Sequence, residues 1–333
     1  MIFDSIEFHN VEELQPSDGG YRMWRLPRWV RESINEQAGK SSSGFATGVE
    51  LRFKMKSDQV TLYLSAENMA EATVAYIYYG SIQGGWEDSS RVIFTQKTPI
   101  RIRKANNVEV LKRISKENDL PFSPEIVRVV LPYGSICYWG MEGEVEPPTK
   151  DELPKKTYLA YGSSITHGSL ALAAPYTYPF RLSQKFRCDY LNMGFAGSAW
   201  MEKAMAEYIV SRKDWDFATV EMGINMLGTE LDEFERNIDI FTMILQKDPR
   251  PVFATNIYGF SDPSGQEKGR IMRSIVEKYA KNRLIFTDGL RFLNNPAFIA
   301  QDMVHPSLEG IEQIGDRWFE VINGHNFVRN KFL

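Results

Sequence analysis

Four short stretches in the second half of this 333-residue chain carry residue types that can transfer an acyl group. The first, Gly162-Ser163-Ser164-Ile165-Thr166-His167-Gly168, offers hydroxyls between glycines, where a nucleophile can be presented at a strand exit. In the second, Asn192-Met193-Gly194-Phe195-Ala196-Gly197-Ser198, glycines let a backbone N–H approach a ligand closely. The third, Gly223-Ile224-Asn225, brings a side-chain amide donor. In Asp302-Met303-Val304-His305 a carboxylate precedes an imidazole by three residues, a spacing that can share one face of a turn. A hydroxyl, a histidine to take its proton, a carboxylate to hold the imidazole tautomer and donors for a developing oxyanion are the parts of acyl transfer.

These stretches need elements that bring them to one place. Apolar runs at 158–161, 190–193, 218–222, 252–257 and 284–286 alternate with helix-length segments at 175–187, 200–212, 231–247, 268–282 and 307–322. Five such units predict a parallel, doubly wound sheet with helices on both faces, and its ligand site lies beyond the carboxyl ends of the strands. Each chemical stretch follows one of those ends.

The first half reads differently. Val49-Glu50-Leu51-Arg52-Phe53-Lys54-Met55 and Val60-Thr61-Leu62-Tyr63-Leu64 alternate with period two around a Ser57-Asp58 turn, the pattern of a β-hairpin. Further β-rich runs at 73–79, 91–95, 100–103, 126–131 and 136–139 have no helix pattern between them and predict a β-sandwich or jelly roll. The polar, Pro-paired stretch 142–150 suits a connector, so the expected division is 1–148 and 149–333.

With those motifs in place, the 160–310 region resembles the SGNH hydrolases, also called the GDSL esterase and lipase superfamily. The first block of that family resembles Gly162-Ser163-Ser164-Ile165-Thr166, which places the nucleophile at Ser164, with Ser163 where Asp is commonest. Asn192 with Gly197, Gly223 with Asn225, and Asp302 with His305 match the second, third and fifth blocks. The resemblance implies a flavodoxin-like α/β fold and a serine esterase that needs no cofactor. It further implies Ser164 as nucleophile, His305 as general base and acid, Asp302 as its orienting carboxylate, and an oxyanion hole of the Ser164 and Gly197 N–H groups with the Asn225 amide. The preceding sandwich makes the chain similar to the two-domain subgroup that includes carbohydrate esterases and a few acyltransferases. A small-molecule or saccharide acyl ester is the expected partner, with acyl transfer to an alcohol or non-catalytic glycan binding as the alternatives.

Other residues narrow the field. His167, Trp200, Met226 and Trp86 are candidates to line a substrate cleft, and the stretch 258–265 is a candidate rim. Tyr21-Arg22-Met23-Trp24-Arg25-Leu26-Pro27-Arg28-Trp29 reads as an anchor for the N-terminal arm. Glu221, in an otherwise apolar strand, needs a partner if buried. Gly39-Lys40-Ser41 lacks the earlier glycine of a phosphate loop, since Ile34 stands there. Four histidines, no paired-cysteine or His-Glu-x-x-His motif, and only Cys137 and Cys188 argue against a metal site or disulfide framework. A net charge of −4 without basic runs argues against nucleic acid or an anionic membrane as partner. The first residues do not read as a secretory signal, which makes the cytoplasm the expected location, and a homo-oligomer stays open.

Overall fold

The computed structural model describes residues 1–68, 73–258 and 266–325. Its second half is a flavodoxin-like doubly wound sheet. Five parallel strands, Thr157–Gly162, Asp189–Gly194, Phe217–Glu221, Val252–Thr255 and Ile285–Thr287, stand with the second outermost, then the first, third, fourth and fifth. The first four are buried almost throughout, as strands covered on both faces must be. Alternation sends Leu159, Met193 and Val220 to one face, under helices Lys203–Ser211, Leu231–Leu245 and Gln266–Ala280. Tyr158, Tyr190 and Phe253 face the other way, under Tyr178–Lys185 and Leu308–Asn323. All five helices lie within a few residues of their expected places.

The first half is an antiparallel β-sandwich of an eight-stranded and a five-stranded sheet. Its core joins Leu51, Phe53, Ile77 and Val129 of one sheet to Leu62, Leu64, Ile100 and Tyr138 of the other. The expected hairpin is a correction. Glu50–Met55 pairs with Ile126–Val130 in the larger sheet, whereas Gln59–Ala66 pairs with Thr98–Arg103 in the smaller. The Ser57-Asp58 turn therefore carries the chain from one sheet to the other. Alternation alone could not show this, because the polar residues Glu50 and Arg52 point not to water but inward, both fully buried, with Arg52 against Asp189 of the second half. Strands Ile6–His9, Glu13–Ser17 and Gly20–Trp24 and the helix Val108–Glu117 went unpredicted.

Packing crosses the expected division at residue 148. Tyr21 to Trp24 lie in the sandwich strand Gly20–Trp24, but Leu26, Val30 and Ala38 join the buried cluster around Leu159. Arg52 makes a two-pronged ion pair with Asp189 at 2.6 and 2.7 Å, and Glu50 bonds Arg52 at 2.8 Å and Arg128 at 2.6 and 2.8 Å. Burial works to raise the Glu50 carboxyl, but Arg128 and Arg52 outweigh it and hold it at about 2. Arg25, also fully buried, donates to four carbonyls, Phe45 and Ser42 on its own side and Asn192 and Gly194 on the other, at 2.6 to 2.9 Å, and its Nη2 lies 3.4 Å from His167 Nε2. With no carboxylate against it, desolvation draws its guanidinium down to about 9. No helix among the described residues is long and apolar enough to cross a membrane.

Candidate active site

The strand Thr157–Gly162 runs through one residue, Ser163, into the short helix Ser164–His167. Ser163 caps that helix, its Oγ accepting the Ile165 N–H at 3.2 Å. Glu221, from the end of the neighbouring strand, accepts the Ser163 N–H at 2.8 Å and the Ser163 hydroxyl at 2.7 Å through one oxygen, Oε2. The partner that Glu221 requires is thus the position at which the carboxylate of the family motif is missing. Burial pushes its carboxyl upward, opposed by the Ser163 bonds. Gly162 leaves room for this arrangement: a Cβ there would stand 2.2 Å from Thr166 Oγ1 and 2.6 Å from Glu221 Oε2. Gly162→Ala should therefore cost about 1 to 3 kcal/mol through overpacking, read as a lowered midpoint of urea unfolding.

Ser164, at the first turn of that helix, is 7% exposed, and its Oγ lies 2.8 Å from His305 Nε2. His305 Nδ1 lies 2.7 Å from Asp302 Oδ2, while Asp302 Oδ1 accepts the backbone N–H groups of Val304 and His305 at 2.9 Å. A carboxylate only accepts, so Nδ1 carries the ring proton and Nε2 is left to accept from the serine hydroxyl. Partial burial works to raise the Asp302 carboxyl, but those three bonds to residues 304 and 305 prevail and keep it below its usual range. Pairing of Ala300 N–H with the His305 carbonyl at 2.7 Å ties the loop back on itself.

The 192–198 loop runs beside the nucleophile helix. A Cβ on Gly194 would stand 2.2 Å from the His167 nitrogen, so glycine permits this approach. Gly197 is left-handed, with φ of 69°. Neither its N–H nor that of Ser164 has an acceptor among the described residues. Asn225 Oδ1 accepts the Ala199 N–H at 3.1 Å, which assigns the amide and leaves its NH2 end to donate elsewhere.

Two of the expected cleft residues are corrected. His167 is fully buried: its Nδ1 accepts the Ala196 N–H at 3.2 Å, and Tyr133 and Phe45 cover its ring. Burial and the Arg25 charge push it well below the ordinary histidine range, so it is neutral. It supports the loop instead of lining a cleft. Met226 is likewise fully buried, in the core under Leu231–Leu245. Trp86 is fully exposed, and its neighbour Glu87 pairs with Arg103. Trp200, half-buried, packs on the core beside the 192–198 loop, its carbonyl bonded by Asn237 at 3.0 Å. Of the expected rim, 259–265 lies outside the described residues. Among the described residues no cluster of three or more His, Cys, Asp or Glu is placed to hold a metal. The sequence reading missed Asn35, Gln37 and Ser42, which bond the 192–198 loop from the first half of the chain.

A hydrogen-bonded serine and histidine at the carboxyl edge of a 2-1-3-4-5 sheet define the class as an ester hydrolase of doubly wound α/β type. More particularly, residues 155–322 match the model of the GDSL-like lipase/acylhydrolase family, and the chain belongs to that family. No curated protein matches it. Among solved structures it is similar to a salicylyl-acyltransferase from a tetracycline biosynthetic pathway, at 15% identity over 96% of this chain and 95% of that one, with a TM-score of 0.72. It is also similar to a family two carbohydrate esterase from Cellvibrio japonicus, at 10% identity over 97% and 95% of the two chains, TM-score 0.58. An acetyl xylan esterase from the rumen bacterium Butyrivibrio proteoclasticus shares 12% identity over 86% and 92%, TM-score 0.53.

Proposed function

We propose that the chain is a serine esterase that removes short acyl groups, acetyl foremost, from a carbohydrate. The observation that carries this reading is the unbroken series of hydrogen bonds from Asp302 through His305 to Ser164. Ser164 Oγ attacks the ester carbonyl while His305 Nε2 takes its proton, then returns it to the leaving alcohol. Water, deprotonated by His305, attacks the acyl-enzyme, and His305 returns that proton to Ser164 Oγ as the acyl bond breaks and the acid leaves. Asp302 holds the ring in the tautomer this requires. The Ser164 and Gly197 N–H groups and the Asn225 NH2 hold the oxyanion, and the scheme uses no cofactor. The Asp302 side chain, on the far side of the His305 ring from the serine, is 44% exposed, so the pair opens to water, which suits a polar alcohol portion. The likeness to carbohydrate esterases over both halves of the chain favours a saccharide.

A second reading, transfer of the acyl group to an alcohol, draws on the likeness to the salicylyl-acyltransferase. Hydrolysis of p-nitrophenyl acetate, butyrate, octanoate and laurate tests the first reading. Activity on acetate, lost in Ser164→Ala together with fluorophosphonate labelling, supports the esterase; preference for laurate removes the carbohydrate reading. Labelling without hydrolysis, and an acylated product when alcohols are added, moves the assignment to transfer. Asn225→Ala should lower kcat by about 100- to 1000-fold, the cost of one oxyanion donor, with KM little changed.

A further inference from the structure

The peptide unit between Ala196 and Gly197 is held from outside the α/β half. Its carbonyl, Ala196 O, accepts from Gln37 Nε2 at 3.1 Å and from Ser42 Oγ at 3.2 Å. Ser198 Oγ stands 3.1 Å from both Ala196 O and Ser42 Oγ, so it backs the same carbonyl. Gln37 belongs to the short helix Glu36–Lys40 and Ser42 to the turn that follows it. Around this unit the same segment takes the other outward carbonyls of the loop. Arg25 bonds Asn192 O and Gly194 O at 2.7 and 2.9 Å, and Asn35 bonds Ser198 O at 2.9 Å.

A trans peptide is planar, with its C=O and N–H pointing in opposite directions. Fixing Ala196 O therefore fixes the direction of the Gly197 N–H, and donors on the carbonyl polarise the N–H at the other end into a stronger donor. Contact is close on the glycine as well. A Cβ at residue 197 would stand 2.6 Å from Gln37 Nε2, so the amide occupies the space a side chain would need.

We propose that Gln37 and Ser42 are positioning residues for the acyl-transfer reaction, acting through the Ala196 carbonyl to aim the Gly197 N–H at the oxyanion. This rests on the reading of Gly197 as an oxyanion donor. The first half of the chain then supplies part of the reaction's transition-state stabilisation without touching the substrate.

Steady-state hydrolysis of p-nitrophenyl acetate by Gln37→Ala, Gln37→Glu and Ser42→Ala tests this, with Asn225→Ala in the same series. Gln37 is exposed, so its variants should fold as the parent does, which thermal unfolding checks. Gln37→Ala should lower kcat about 10- to 100-fold with KM nearly constant, the signature of a lost transition-state interaction. Gln37→Glu keeps the shape but cannot donate as a carboxylate, and it sets a negative charge against the Ala196 carbonyl oxygen, so it should fall at least as far. A role in shape alone would leave Gln37→Glu active. Wild-type kcat in both Gln37 variants, alongside a depressed Asn225→Ala, overturns the inference and leaves the esterase reading standing. Wild-type kcat in Asn225→Ala as well overturns the oxyanion reading on which it rests.

Discussion

Alanine at His305 is expected to lower kcat on p-nitrophenyl acetate by about a million-fold, the scale set when a serine enzyme loses its general base. His305 Nε2, 2.8 Å from Ser164 Oγ, is the one basic nitrogen bonded to that hydroxyl among the described residues. An isolated serine hydroxyl is a weak nucleophile at neutral pH. Asp302→Asn should cost less, about ten thousand-fold, because an amide NH2 facing Nδ1 favours the tautomer in which Nε2 carries the proton. In both variants KM should stay near the parent value, since neither group binds the ground state. Fluorophosphonate labelling of Ser164 should slow in the same order. Equal activity of His305→Ala and wild type would remove the proposed mechanism.

The second large effect is on stability. Arg52→Ala should cost about 3 to 5 kcal/mol, measured as the loss in unfolding free energy in urea, because two buried carboxylates lose their shared partner. Asp189 would keep His9 at 3.4 Å and Glu50 would keep Arg128. The sign with pH follows from the carboxyls. Burial alone would raise them, but the arginines depress both below their unfolded values, Glu50 to about 2. The stability they contribute is therefore present above the unfolded carboxyl pKa of about 4 and is lost as pH falls through the folded values. Arg52→Ala should therefore begin acid unfolding at a distinctly higher pH than the wild type. Coincident acid transitions for the two proteins would show that the network contributes nothing.

What the sequence reveals and what it hides divide along the range of the interactions. Five strands, their helices and the Ser164, His305 and Asp302 stretches are legible because local pattern and short motifs encode them. The hairpin fails because residues 49–55 and 60–64 alternate with one polar face each, and alternation does not say whether that face meets water or a second layer of protein. Met226 and His167 read as cleft residues because their neighbours in sequence are cleft residues. Their side chains turn inward, one into the core and one to the Ala196 N–H. Glu221 signals its need for a partner, but Ser163 lies 58 residues away, and only the alignment of adjacent parallel strands joins them. Gln37 and Ser42 give no signal of their own: short polar residues near a turn look the same whether they face solvent or hold a carbonyl more than 150 residues distant.

The Arg25 contacts bear on how such a chain can be altered. A guanidinium that bonds carbonyls of both halves, its Nη2 alone reaching Ser42 O and Gly194 O, is a joint that cannot be cut without leaving backbone oxygens bare in the interior. An insertion or circular permutation that moved the 25–45 segment would strip the hydrolytic loop of its backing even if every strand of both sheets still formed. Grafting a different sandwich onto this α/β half would thus require carrying residues 25–45 across intact.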